Sequence, residues 1–386
     1  MGDVDLTHET VSQPTIALLW EACRRTPDID AVRVAAEGDL QPATLVHLAL
    51  ANRIGPLLWR ALRAAGCEDA LGPERSRIEE LAHLYALQEM LLHPQIMSLS
   101  ITPLTRAGFE PVIMKGPSVA RRYPATGLRP MDDLDLLLPR EGHVDAVAVL
   151  REAGWNVSRP QSRDWYDTQL RHPDVPSMPL ELHYGLEGWH ERSNRLDPMW
   201  LWAQRRHIEC LGVRAFGLPV EEEIVSLAAH AGKPYHGFDR MLWLADLGMV
   251  IGHATEHEGV DWQRIEELAR TTQCATVVGA ALRMATRMGL TLPEGRFPLP
   301  ESGWRSVPLQ RLLAFDWPVS HDSATFHIRF ALVDSPWRRL VLMGASPYSR
   351  TSWQERFLMP PRAVARVTQV WRDARAQSRT AHEPAH

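Results

Sequence analysis

Apolar residues recur every three to four positions through residues 14–107 and again through much of the chain after residue 198, and both stretches read as helical. In ATLVHLALANRIGPLLWRALRAAG, Leu45, Leu48, Ala49, Ile54, Leu57, Leu58 and Leu62 share one recurring face. This predicts one long helix with Gly66 as its C-terminal cap. A second helix is predicted from about Arg75, with Ile78, Leu81, Leu84, Leu87 and Leu91 apolar. From Phe109 the pattern shortens. EPVIMKGPS reads as a buried strand ending in a glycine turn, with a short helix near Val119 to Tyr123. DDLDLLLPR is a strand stopped by Pro139, EGHVDAVAVLREAGW an amphipathic helix, and WNVSRP and MPLELHY further strands.

After Pro198 the expectation is helical, through EEEIVSLAAHAG, FDRMLWLADLGMVIGHA, DWQRIEELARTT and ATVVGAALRMATRMG, with a Pro-rich linker at 292–304. TFHIRFALV fits a strand or a helix, and PRAVARVTQVWRDARA a terminal helix. The polar ends, residues 1–13 and 376–386, are expected to be loose. The fold class is therefore α+β: an α/β segment within residues 108–197, flanked by helical regions at 14–107 and 198–375.

Composition narrows the function. The chain has 386 residues, is 45% hydrophobic and carries a formal charge of −5, so nucleic acid is not the expected partner. No run approaches the roughly 20 apolar residues of a membrane span, and the first residues lack the order of a secretory signal, so a cytoplasmic location is expected. The four cysteines show no C-x-x-C pairing and are expected to be small buried thiols rather than disulfide or zinc ligands. Of 42 Lys plus Arg residues only Lys115 and Lys233 are lysine. Against that arginine bias, each marks either a place where a compact ammonium is wanted or a chance survivor.

The chemistry concentrates in three places. Asp133 and Asp135 flank Leu134, and the strand period of two puts both carboxylates on one face. Two adjacent acids repel unless a cation neutralises them, and hard oxygen ligands suit Mg2+ or Mn2+. Glu181 and His183 repeat this spacing on another strand. KGPS, at 115–118, lies where a strand turns into a helix. Such a turn aims backbone N–H groups and the Ser118 hydroxyl at one spot, with Lys115 adding a point charge, an arrangement that suits phosphate.

The run MKGPSVARRYPATGLRPMDDLDLLLP resembles the signature of the uncharacterised bacterial nucleotidyltransferase family within the DNA-polymerase-beta-like superfamily: lysine-glycine, tyrosine-proline, arginine-proline, then an aspartate-x-aspartate strand. ELHY, HAGKPYHGFDRMLWLADL and SPYSRTSWQERF resemble its later blocks. The resemblance implies a mixed-sheet palm bearing the site, with Gly116 and Ser118 as the phosphate turn, Asp133 and Asp135 as metal-bridging acids and Glu181 as the third carboxylate. Pro117, between Gly116 and Ser118, departs from the superfamily pattern. It further implies two divalent ions, Mg2+ or Mn2+, and transfer of a nucleoside monophosphate from a triphosphate to a hydroxyl of a small molecule, peptide or protein. Lys115 and Arg129 are expected to neutralise the β and γ phosphates, with a structural ion pair as the competing reading for each. Asp132 is expected to be a solvated neighbour.

The helical segment after the palm is expected to supply the acceptor side through His230, Lys233, His236, Arg240 and Asp246, together with His183 from the sheet. Asp246, set among Trp243, Leu244 and Leu247, needs a partner if buried, and Arg240 is the expected one. Two other classes of function fit less well. One is modification of a peptide from a sugar nucleotide, since aspartate pairs also serve glycosyl transfer; the other is a non-catalytic nucleotide- or protein-binding scaffold.

Overall fold

In the computed structural model, which describes residues 11–160, 166–186, 194–233, 236–314 and 330–339, seven strands make one mixed sheet. They are β1 (Val112–Ile113), β2 (Leu134–Leu137), β3 (Asn156–Arg159), β4 (Asp167–Arg171), β5 (Leu180–His183), β6 (Arg206–Cys210) and β7 (Val213–Gly217). Their order is β3-β4-β5-β2-β1-β7-β6. At the centre, β2 pairs parallel with β5 and antiparallel with β1. All four β2 residues are buried, as a strand covered on both faces requires.

Two parts of the sheet depart from the expectation. β4 lies in a stretch, DTQLR, with too few apolar residues to stand out as a strand; it packs between β3 and β5. The hairpin β6–β7 stands where helix was expected, so the sheet extends beyond residue 197 to Gly217. Leu211 and Gly212 make its two-residue turn, both with positive φ (50° and 73°), as the tightest hairpins demand. β6 is a polar sheet edge, which hides it from a search for apolar runs.

The predicted first long helix is two helices, Pro42–Ala51 and Gly55–Ala65, broken at Asn52-Arg53-Ile54, where Arg53 takes φ 60°. Gly66 caps the second in the left-handed conformation, as its position predicted. TFHIRFALV is helical at residues 330–332; its residues 325–329, the terminal segment PRAVARVTQVWRDARA, SPYSRTSWQERF, and residues 1–10 and 376–386 lie outside the described residues. No described helix is long and apolar enough to cross a membrane.

Two main hydrophobic cores divide the molecule. One joins the helices within 13–65 to those within 220–314, so Leu18, Leu57 and Leu62 share a core with Val250, Leu282 and Leu309. The other packs helices His93–Arg106 and His143–Glu152 against the sheet through Ile101, Leu104, Leu134, Leu150 and Leu182. The first 107 residues thus serve both bodies. Polar contacts tie the segment after β1 to the helices of the first core: Arg122 is paired with Glu223 and Glu258, and Arg25 Nη1 donates to the Arg122 carbonyl at 2.6 Å.

Candidate active site

Parallel pairing of β2 with β5 sets Asp135 opposite Glu181 and Leu137 opposite His183. Because alternate residues share a face, Asp135, Glu181 and His183 converge while Leu134, Leu136, Leu180 and Leu182 fill the core behind them. One ligand atom from each of Asp135, Glu181 and His183 lies within 4.8 Å of the other two. Asp133, just ahead of β2, lines the same cavity without joining that tight group; His183 takes the third place instead.

Charge is distributed unevenly between the two aspartates. Burial works against an ionised Asp135, but Lys115 Nζ at 2.9 Å and His183 Nε2 at 2.7 Å more than offset it and hold its pKa well below the usual carboxylate range. With Asp135 ionised, the proton of that short contact belongs to His183, which donates. Asp133 is the converse: the neighbouring Asp135 charge, helped by burial, pushes it up to about 6. Lys115 keeps its proton because Asp135 and Asp133 outweigh its own burial. Glu181 is steadied by its sheet neighbours: Gln169 Nε2, on β4, donates to its Oε1 at 3.1 Å, and Arg159, on β3, lies 3.4 Å away.

These residues fit a divalent cation. Two carboxylates from adjacent strands are hard oxygen ligands, and the raised pKa of a third beside them marks negative charge that Lys115 alone does not neutralise.

The cavity above them measures about 290 Å³. Its floor includes Lys115, Gly116, Asp133, Asp135, Glu181 and His183; its opposite wall carries Arg53, His230, Lys233, His236, Arg240 and Asp246. Both lysines of the chain therefore reach it. Lys233 Nζ donates to the Leu186 carbonyl at 2.6 Å and lies 5.4 Å from the Tyr166 ring, which stacks on His183. His230, His236 and Trp243 form a ring cluster with centroids 4.3–5.4 Å apart. Burial, with Lys115 and Lys233 nearby, keeps the His230 pKa well below its ordinary value, so this imidazole is neutral.

Three expectations are corrected. Ser118 does not face the cavity: it is fully buried, its Oγ donates to Glu223 Oε1 at 2.7 Å, and its N–H is taken by the Lys115 carbonyl. Pro117 has no N–H to offer, so the turn retains Gly116, whose φ of 53° and Met131 neighbour, 3.1 Å from where a Cβ would stand, require glycine. Arg129 does not hold its fork open for phosphate: Nε and Nη2 meet Asp246 Oδ1 and Oδ2, each at 2.8 Å, and Tyr123 donates to the same carboxylate at 2.7 Å. Arg240 is accordingly not the partner of Asp246; its guanidinium lies 5.4 Å from the Trp243 ring. Asp132 is exposed, as expected, but is paired with Arg53.

Arg53 escaped the sequence reading because it sits inside a run of apolar periodicity. The signal that marks it is the dipeptide Gly55-Pro56, which starts a new helix and forces the break before it.

A protein-family model described as an uncharacterised nucleotidyltransferase matches residues 38–289, a span that contains every residue named on the floor and walls of the cavity. Comparison with curated proteins and with solved structures gives no match. The acidic strands, the glycine turn and the cationic wall facing them all fall within the matched span, and the chain belongs to the uncharacterised nucleotidyltransferase family.

Proposed function

We propose that the cavity transfers a nucleoside monophosphate from a nucleoside triphosphate to a hydroxyl of a small-molecule, peptide or protein acceptor. In that reaction the acceptor oxygen forms a bond to the α-phosphorus, the α–β bridging bond breaks, pyrophosphate leaves and the hydroxyl proton passes to a base. The observation that carries the reading is the in-register placement of Asp135 and Glu181 on parallel neighbours, beside Lys115 and the Gly116 turn.

Asp133, Asp135 and Glu181 are the residues to hold Mg2+ or Mn2+, one ion or two. Such an ion supplies positive charge to the phosphate oxygens and lowers the pKa of a bound hydroxyl. His183 keeps Asp135 aligned through its donated hydrogen bond, and Lys115 balances its charge. Gly116 allows close approach of the chain to a ligand, since no Cβ intrudes. Neutral His230 offers a proton acceptor on the opposite wall.

The test is incubation of the full chain with each α-³²P-labelled triphosphate, Mg2+ and host extract. Label transferred to an acceptor, with pyrophosphate released in equal amount, is the expected result. Pyrophosphate-free transfer, or an adduct with the mass of a hexose, overturns the reading.

A further inference from the structure

Ser118 is turned inward, and Arg129, Lys115 and Lys233 are each engaged by partners of their own, which leaves Arg53 and Arg240 as the further cations lining the cavity. They come from distant parts of the chain and are stitched together. The Met241 N–H donates to Asn52 Oδ1 at 3.1 Å, and the Leu242 N–H approaches the Asn52 carbonyl at 3.3 Å. Asn52 is buried and caps a helix, Met241–His257, that has no capping side chain of its own at Arg240. The two arginines therefore flank one backbone junction; burial lowers the Arg53 pKa, and the Arg240 charge adds to that lowering.

A second cavity, of about 320 Å³, lies against the first, and both are lined by Arg53, Pro130, Asp132 and Arg240. Arg53 is paired with Asp132, whose side chain is 62% exposed. Arg240 forms no ion pair with any described residue. Two like charges lining the boundary shared by two cavities, with the solvated Asp132 carboxylate paired to one of them, put positive charge where a substrate must pass.

Resting on the nucleotidyl-transfer reading, we propose that Arg53 and Arg240 form an anion clamp at the junction of the two cavities, gripping a phosphate or carboxylate carried by one of the substrates. The anion comes either from the triphosphate tail of the donor or from the acceptor.

Calorimetric titration of the full chain in Mg2+ with inorganic tripolyphosphate tests the clamp. Arg240→Ala should weaken tripolyphosphate binding roughly tenfold or more, and Arg240→Lys should restore part of it. The thermal midpoint should stay close to wild type, because no ion pair is lost. Asp132→Asn should tighten binding by releasing Arg53, an effect that a merely structural role for the pair does not produce. A fall in ATP affinity matching that of tripolyphosphate, with AMP unaffected, assigns the anion to the donor. Tripolyphosphate binding alongside saturating ATP, with ATP affinity unchanged in Arg240→Ala, assigns it to the acceptor. Wild-type tripolyphosphate affinity in Arg240→Ala, or its absence in the native chain, overturns the clamp. A native chain that binds tripolyphosphate but no nucleoside triphosphate leaves the clamp standing and removes the nucleotidyl-transfer reading.

Discussion

The palm and the helical body face each other across one cavity, yet they build their walls by different means. On the palm side the functional groups are neighbours in register: Asp135 and Glu181 are adjacent Cα partners, and His183 follows by the strand period. Each is fixed by local backbone geometry. On the helical side the groups are placed by contacts between remote parts of the chain. Arg53 meets Asp132 79 residues away, Arg129 meets Asp246 117 away, and Ser118 meets Glu223 105 away. The palm carries an excess of acid, whereas the helical wall carries arginine, lysine and neutral histidine. The acidic centre is thus a property of one strand pair, while the cationic wall is a property of the packed whole.

If that division holds, substitutions on the two sides should fail in different ways. The largest effect is expected at the strand pair. Asp135→Ala should lower nucleotidyl transfer by roughly a thousandfold, about 4 kcal/mol in the barrier, measured by pyrophosphate release. Its circular dichroism should be unchanged, because the strand core is made by leucines. Activity within tenfold of wild type would break the assignment.

On the helical side the leading effect should be on stability. Asp246→Ala leaves Arg129 charged and buried without its carboxylate, and Tyr123 without its acceptor. Removing one partner of a buried pair costs roughly 3–5 kcal/mol, to be read from the urea midpoint. A loss below about 1 kcal/mol would show that the fold does not depend on this pair.

A pH effect sharpens the palm side. Asp133 is pushed up to about 6 by Asp135 and by burial. A proton on Asp133 competes with a cation, so divalent affinity should fall as pH drops through that value, by at most about tenfold per unit, and level off above it. Titration of Mn2+ binding across this range checks the sign, and Asp133→Asn should flatten the profile. Affinity that rises on acidification would contradict the role given to Asp133.

The smallest effect is expected at Ser118. Ser118→Ala should leave triphosphate affinity within about twofold, since the hydroxyl faces Glu223, and cost about 1–3 kcal/mol of stability for the buried hydrogen bond. A large loss of affinity without loss of stability would return the serine to the phosphate turn.

The same contrast explains what could be read in advance. The acidic centre was legible because D-x-D and E-x-H on apolar strands fix their geometry within three residues each. β2, β5 and the helix His143–Glu152 were legible for the same reason, and the two lysines, singled out by their rarity, both line the cavity. β6 was hidden by its polar edge character, and the break at Arg53 by apolar residues that keep helical spacing across it. The partners of Ser118, Arg129 and Arg240 were hidden more deeply. Local sequence offered Asp246 the cation six residues away, whereas packing brought it a fork from the palm 117 residues away. A buried carboxylate takes the partner with the best bidentate geometry, and sequence proximity does not rank candidates by geometry.

The most direct test of the central claim is calorimetric titration of Mg2+ with ATP into the native chain and into Glu181→Gln, a change that keeps the side-chain shape and removes its charge. Triphosphate binding should require the divalent ion in the native chain and be lost in the variant at equal thermal stability. Equal, metal-independent binding in both would contradict it.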